Sequence, residues 1–174
     1  MKILLQAKAE VEELQVLRVS DVWKICNSLA RVIQKSMMVK KTEFVFENVL
    51  VVDDTEIDIH YTVNIIKRSS IVKNIIVKKS VLGALDYLQN CKYNRLPVPE
   101  LIFLDMNMPH LDGFDFVEAF GQLDHHIQNT SKVIMLSAST DASDIEKAVS
   151  NPTIKHFIRK PLSFEALIRL TQLN

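Results

Sequence analysis

Cysteine is scarce in this sequence, and its scarcity excludes two kinds of site. The two cysteines, Cys26 and Cys91, belong to no CxxC pair and accompany no paired histidine spacing. A disulfide framework and a zinc site both need such groups of bridging or ligating residues. Neither is therefore expected, and we interpret both residues as reduced core thiols of a cytoplasmic protein.

Neither sign of charge is in excess, and long apolar runs are missing. The 21 Lys and Arg residues balance the 21 Asp and Glu residues, so that the formal net charge is zero. This balance argues against a general electrostatic attraction to nucleic acid or to an anionic membrane. No apolar stretch reaches the length of about 18 residues that a membrane-spanning helix needs. The N-terminus turns acidic after a short apolar patch, which argues against a signal peptide.

Glycine is also scarce, and the first of the three glycines is Gly83. Apolar residues between residues 2 and 38 recur mostly at steps of three and four, which is typical of helix. The register of these residues slips near Ser20 and Asp21, either of which could cap a second helix. We therefore predict an N-terminal helical extension over residues 1–46 and a separate domain over residues 47–174.

From about residue 47 onward, short apolar runs alternate with amphipathic segments. The apolar runs, which we predict as strands, are NVLVV (48–52), NIIVK (74–78), LIFL (101–104), KVIML (132–136) and KHFI (155–158). The amphipathic segments, which we predict as helices, cover residues 56–69, 80–90, 113–123, 141–149 and 163–172. This alternation indicates an α/β fold with a parallel sheet. One arrangement of such a sheet is doubly wound, with its five strands in the order 2-1-3-4-5.

Polar side chains stand where four of these strands end. Asp53 and Asp54 follow the first strand, Asp105 follows the third, Ser137 ends the fourth and Lys160 follows the fifth. Ligands of doubly wound sheets bind outside the carboxyl ends of the strands, where the strand order reverses. If the strand order is 2-1-3-4-5, strands one and three are neighbours at that point, and we expect these side chains to share one crevice.

Three carboxylates in one crevice would repel one another strongly, and a hard divalent cation would relieve that repulsion. Mg²⁺ is the expected ion because it prefers carboxylate, carbonyl and water oxygens together with a phosphoryl oxygen. Lys160 adds a compact positive charge, and Ser137 adds a hydroxyl donor. These groups are the parts needed to move a phosphoryl group onto an aspartate.

Residues 47–174 resemble the receiver domain of two-component response regulators. The motifs stand in the order and at nearly the separations typical of that family: VVDD (51–54), LDMNMPHLDG (104–113), MLSAS (135–139) and FIRKP (157–161). The resemblance implies a doubly wound, five-stranded, flavodoxin-like parallel sheet in the order 2-1-3-4-5. It implies a CheY-like single receiver, which catalyses only its own phosphorylation and dephosphorylation and is otherwise not an enzyme. It also implies a phosphoryl donor, which would be a histidine kinase or a histidine phosphotransfer protein.

The resemblance implies roles for individual residues. Asp105 would be the phospho-acceptor, and Ser137 and Lys160 would contact the phosphoryl oxygens. Phe157 matches the aromatic switch position, and Ser137 would act with it. The phenyl ring lacks the hydroxyl of the tyrosine that is frequent there, so we expect a switch that depends on ring packing. Pro161 stands where the family usually has a cis peptide bond.

The resemblance likewise implies a set of Mg²⁺ ligands. Asp54 and Asp105 would bind the ion directly, and Asp53 would bind it mainly through water. The backbone carbonyl of Asn107 would complete the protein ligands.

A haloacid-dehalogenase-type phosphatase is the alternative function, since it uses a similar set of residues. That family places its aspartate nucleophile first in the chain and its acidic pair last, whereas here the acidic pair Asp53 and Asp54 comes first. It also needs a second aspartate two residues after the nucleophile, and Asn107 cannot serve as that acid. A purely structural scaffold is a third alternative, which the intact set of polar residues disfavours.

The output of such a switch is less constrained by the sequence. Little chain follows the last predicted helix, so we expect no C-terminal DNA-binding domain. The N-terminal extension could form a homodimer, dock a downstream protein or pack on the receiver. It could also reflect the choice of start site, because Met37 and Met38 lie just before the receiver.

Overall fold

The computed structural model describes residues 44–94 and 96–172. The strands are β1 (Phe46–Val52), β2 (Val72–Lys78), β3 (Leu101–Asp105), β4 (Lys132–Ser137) and β5 (Ile154–Arg159). The helices are α1 (Glu56–Ser69), α2 (Val81–Asn94), α3 (Gly113–Phe120), α4 (His125–Thr130), α5 (Ala142–Ser150) and α6 (Phe164–Leu170). Among the described helices, none is both long and apolar enough to cross a membrane. The helices predicted within residues 2–38 lie outside the described residues, and the division after residue 46 stays a prediction.

The five strands form one parallel sheet in the order β2-β1-β3-β4-β5, which confirms the predicted fold. Val52 of β1 is in register with Leu104 of β3, so these two strands end side by side. Asp105 of β3 is in turn in register with Leu136 of β4. The strand order reverses between β1 and β3, and this is where a doubly wound sheet binds ligands.

Helices cover both faces of the sheet, and a separate apolar cluster fills each side. The cluster on one face combines alternate strand residues with the buried sides of α2, α3, α4 and α5. The cluster on the other face combines the remaining strand residues with α1 and α6. This two-sided covering explains why the central strands are continuous apolar runs, since both faces of a parallel sheet are buried. All five residues of β3, Asp105 included, are buried.

The two edge strands are more exposed than the central ones. In β2 the side chains of Lys73, Asn74 and Val77 are exposed, and in β5 those of Lys155 and His156 are exposed. Each edge strand has a neighbour on one side, so part of its surface stays in water. Charged residues on an edge also discourage pairing with a second sheet.

The helices differ from the prediction in one respect. The amphipathic segment predicted over residues 113–123 ends as helix at Phe120, and the short helix α4 follows it. The Asp124 side chain begins α4 by accepting a hydrogen bond from the backbone N–H of His126 at 2.9 Å. Ile127 is the buried residue of this six-residue helix. A helix this short contains too few turns for its apolar periodicity to be recognised in the sequence.

Candidate functional site

Three carboxylates meet at the carboxyl ends of β1 and β3. Asp53 and Asp54 directly follow β1, and Asp105 is the last residue of β3. One oxygen of each carboxylate lies within 4.8 Å of one oxygen of each of the others. Asp53 and Asp105 are buried, with 2% and 5% of their surfaces exposed. The parallel pairing of β1 with β3 thus brings together residues that are about fifty positions apart in the sequence.

Lys160 places its ammonium group among these acids. Its Nζ donates to Asp53 Oδ2 at 2.7 Å and to Asp58 Oδ2 at 2.8 Å. It also forms an ion pair of 2.7 Å with Asp105 Oδ1. The Lys160 side chain is 12% exposed, so this positive charge offsets part of the negative charge inside the crevice.

The crevice alters the pKa values of its central pair. Burial raises the pKa of Asp105, and the hydrogen bond from Lys160 only partly offsets this effect. The charge of Asp53 raises the pKa of Asp105 further. For Lys160, burial lowers the pKa, but the hydrogen bonds to Asp105, Asp53 and Asp58 outweigh it and raise the pKa overall. Lys160 is therefore cationic at neutral pH, and the folded protein disfavours the ionised form of Asp105.

The backbone around Asp105 is fixed by neighbouring elements. The N–H of Met106 donates to the carbonyl oxygen of Leu136 at 2.9 Å, and the N–H of Gly113 donates to the carbonyl oxygen of Met106 at 2.9 Å. The backbone of Asn107 also hydrogen-bonds the Asp105 carboxylate. The Asp105 carboxylate therefore sits at the end of a strand whose following backbone is held by β4 and by the start of α3.

Ser137 lies at the end of β4, beside the end of β3, and is fully buried. Its Oγ accepts a hydrogen bond from the backbone N–H of Ser139 at 3.0 Å. Its carbonyl oxygen accepts from the backbone N–H of Lys160 at 2.8 Å. The second of these bonds holds the ends of β4 and β5 together next to the carboxylates. The peptide bond that joins Lys160 to Pro161 is cis, as the resemblance implied.

Phe157 and Asn107 are the two remaining predicted residues. Phe157 lies in β5 in register with Met135, is partly buried and packs against the cluster that contains α2 and α3. Asn107 is exposed in the loop after β3. The switch role of Phe157 and the ligand role of the Asn107 carbonyl stay predictions.

Sequence reasoning missed one residue of this site, Asp58. An acid in the first turn of a helix already has a local explanation, because it interacts favourably with the helix dipole. Asp58 stands four residues after Asp54, one turn into the helix that begins beside the site. The spacing of four residues between Asp54 and Asp58 was the sequence feature that could have indicated that the Asp58 carboxylate lies within reach of Lys160.

The chain is similar in sequence to known proteins. Residues 49–172 match the sequence profile of the response regulator receiver domain. The chain is 30% identical over 90 residues to the probable methanogenesis regulatory protein FilR2 of Methanothrix harundinacea, covering 52% of this chain and 56% of that protein. It is 29% identical over 98 residues to the response regulator Rcp1 of Synechocystis sp., covering 56% of this chain and 65% of Rcp1. The match thus spans less than two thirds of either curated relative.

Solved structures show the same fold. A two-component response regulator from Cytophaga hutchinsonii matches with a TM-score of 0.68 and 29% identity, covering 74% of this chain and 96% of that one. The Mn²⁺-bound form of Rcp1 matches with a TM-score of 0.57 and 24% identity, covering 72% of this chain and 89% of that one. At that identity the second structure supports the fold alone.

Proposed function

The chain belongs to the response regulator receiver domain family, and from that premise we propose that Asp105 accepts a phosphoryl group. The donor is a phosphorylated histidine of a histidine kinase or of a histidine phosphotransfer protein. Phosphorylation changes the surface that a downstream protein recognises, and we expect the exchange to take place in the cytoplasm. The observation that carries this proposal is the ion pair of 2.7 Å between Lys160 and Asp105, inside a cluster of three carboxylates.

The donor set of the cluster fits Mg²⁺. Asp53, Asp54 and Asp105 offer carboxylate oxygens close enough together to share one ion. A small, hard cation prefers such oxygens and retains several water molecules. When bound, Mg²⁺ would neutralise charge on the phosphoryl oxygens.

The transfer exchanges one bond to phosphorus for another. A carboxylate oxygen of Asp105 attacks the phosphorus atom, and a phosphorus–oxygen bond forms. The phosphorus–nitrogen bond of the phosphohistidine breaks, and its electron pair leaves with the imidazole nitrogen, which takes a proton from water. Negative charge is spread over the equatorial oxygens during this displacement. Burial of Asp105 keeps the resulting acyl phosphate away from bulk water.

Lys160 and Ser137 supply the remaining contacts to the phosphoryl group. The Lys160 ammonium exchanges its bond to the Asp105 carboxylate for a bond to a phosphoryl oxygen. Ser137 turns its hydroxyl toward another of these oxygens. Both contacts strengthen as charge develops, which is the condition for lowering the barrier.

The same contacts couple phosphorylation to the surface. The acyl phosphate carries about −1.5 to −2 charges if it behaves like other protein phosphates. Drawing Ser137 toward it moves the end of β4, and the Phe157 ring repacks because β5 lies beside β4. The surface formed by β4, α5, β5 and α6 is then the part of the domain that a partner protein recognises.

Incubation with acetyl phosphate and Mg²⁺ followed by intact-mass measurement tests the proposal. The wild-type chain should gain one phosphoryl group, and the gain should be lost in Asp105→Asn and on chelation of Mg²⁺. Failure of the wild type to gain the group, or an equal gain in Asp105→Asn, would overturn the assignment. Membership of the receiver family also favours this signalling role over the phosphatase alternative. A phosphatase would turn over a phosphorylated substrate many times, which the same assay would reveal as continued release of phosphate.

A further inference from the structure

We propose that Asp58 is a positioning residue that holds Lys160 in place for phosphoryl transfer. This inference rests on the proposed function of Asp105 as the phospho-acceptor. Lys160 Nζ donates to Asp58 Oδ2 at 2.8 Å, and the Asp58 side chain is 41% exposed. Asp58 lies outside the group of three carboxylates that could share a metal ion. It is therefore a partner of Lys160 that the metal would leave in place.

The position of Asp58 in its helix would normally give it another task. Asp58 is the third residue of α1, counted from Glu56. An acid at that position commonly accepts a hydrogen bond from the backbone N–H of the N-cap residue. Here the N-cap is Thr55, and its N–H donates to Asp53 Oδ1 at 2.9 Å instead. Asp53 thus accepts the hydrogen bond from the Thr55 N–H that Asp58 would otherwise accept.

Helix α3 offers a comparison within the same chain. Asp115 is the third residue of α3, and its carboxylate accepts the N–H of the N-cap residue Asp112 at 2.7 Å. The Asp112 side chain accepts from the N–H of Asp115 in return, at 2.9 Å. Asp115 therefore does what an acid at this position usually does. Asp58, at the equivalent position of α1, turns its carboxylate toward Lys160.

The number of donors on Lys160 shows why a third acceptor matters. An ammonium group has three N–H donors, and the three carboxylates of Asp53, Asp58 and Asp105 accept from it. A cation bound by Asp53 and Asp105 competes with Lys160 for the same oxygens. Phosphorylation then converts the Asp105 carboxylate into an acyl phosphate. After both events, Asp58 is the carboxylate that still holds the flexible lysine side chain close to the phosphoryl oxygens.

Two variants separate this positioning role from a capping role. Asp58→Ala removes the acceptor, and Asp58→Asn keeps an acceptor oxygen without the charge. The initial rate of phosphorylation by acetyl phosphate at saturating Mg²⁺ should fall about 10-fold in Asp58→Ala, because misplaced groups lose much of their effect. Asp58→Asn should recover at least half of that loss. Asp115→Ala removes the matching acid from α3 and should leave the rate unchanged, even where it lowers the melting temperature.

A second measurement needs neither metal nor transfer. In the metal-free chain, amine acetylation followed by peptide mapping reports how accessible each lysine is. Asp58→Ala should increase labelling of Lys160 relative to the other lysines, whereas Asp115→Ala should not. A wild-type rate in Asp58→Ala, a faster rate, an equal loss in Asp58→Asn, or unchanged labelling of Lys160 would each overturn the positioning role. A wild-type chain that gains no phosphoryl group would instead refute the proposed function, so the two failures are distinguishable.

Discussion

Gly113 lies against the backbone of Asp105: a Cβ built on Gly113 would stand 2.8 Å from the Asp105 carbonyl oxygen. It would also stand 3.0 Å from the Cα of Met106, which is backbone as well. Neither atom can turn aside as the end of a flexible side chain can. The start of α3 and the end of β3 are therefore too close for a Cβ to fit between them without a shift of the backbone, and glycine is required at this position.

We predict that Gly113→Ala lowers the free energy of unfolding by about 1–3 kcal/mol, the usual cost of overpacking. The same change should slow phosphorylation, because relief of the clash moves the backbone that bears Asp105. Urea denaturation and the intact-mass assay measure the two effects. Gly83→Ala is the control, since its Cβ would meet the Ser80 hydroxyl at 3.2 Å rather than a backbone atom. Equal stability of the two variants would contradict the close approach.

Most of the site could be predicted from the sequence because parallel strands end at one edge of a sheet. Once β1, β3 and β5 were identified from their apolar runs, Asp53, Asp105 and Lys160 had to lie near one another. The strand order fixed which of these residues would be immediate neighbours. The meeting of the carboxylates is thus a consequence of topology. The alternation of strand and helix indicated the parallel sheet, and the resemblance to receiver domains implied the strand order.

Asp58 and α4 could not be predicted, and for related reasons. The first-turn position of Asp58 is fully explained by local helix energetics, so nothing in the pattern demands a distant partner. Whether its carboxylate turns to its own helix or to Lys160 depends on Asp53 accepting the Thr55 N–H, which is a detail of three-dimensional structure. α4 contains one buried residue, Ile127, and gives no periodic signal.

Lys160 should stabilise the metal-free fold, because its removal leaves Asp53 and Asp105 buried without a counter-charge. We predict that Lys160→Met costs about 3 kcal/mol in the presence of a chelator, as is typical when one partner of a buried pair is removed. Added Mg²⁺ should recover part of the loss. Lys79→Met is a suitable control, because the Lys79–Glu56 pair is also 2.7 Å long but its side chains are 61% and 72% exposed. The midpoints of urea denaturation measure the stability of both variants. A loss of stability in Lys160→Met no larger than that in Lys79→Met would refute the role of Lys160 as the counter-charge.

Tyr87 gives the fold a dependence on alkaline pH. Its hydroxyl donates to the carbonyl oxygen of Pro97 at 2.8 Å, and burial together with the neighbouring Cys91 raises the pKa of Tyr87 to about 12. The unfolded chain loses this proton near pH 10, whereas the folded chain keeps it. The stabilisation is therefore complete below about pH 10 and is lost as the pH rises toward about 12.

The variant Tyr87→Phe checks this dependence. It should lose about 1 kcal/mol at neutral pH, because the hydrogen bond to Pro97 disappears. Between about pH 10 and 12 its stability should fall less steeply than that of the wild type. Chemical denaturation across this range provides the measurement. If the free energy of unfolding depended on pH in the same way in both proteins, the ionisation of Tyr87 would not be coupled to folding.

The substitution Asp105→Asn should change the stability of the fold in opposite directions in the absence and in the presence of metal. Burial raises the pKa of Asp105 above its ordinary value of 3.8, so the folded state holds the proton more tightly than the unfolded state. Its contribution to stability is thus complete below that ordinary value and is lost as the pH rises through the folded-state pKa. At neutral pH, in the presence of a chelator, Asp105→Asn removes this penalty and should raise the melting temperature.

Mg²⁺ should reverse that order. A cation held by the three carboxylates, as we propose, would stabilise the wild type according to the metal concentration and the affinity of the site. Asp105→Asn lacks one of these ligands and should gain much less. Melting curves with a chelator and with a series of Mg²⁺ concentrations should therefore cross. If the variant instead remained less stable than the wild type in chelator, the ionised Asp105 carboxylate would be stabilising, and the balance between burial, Asp53 and Lys160 described above would be wrong.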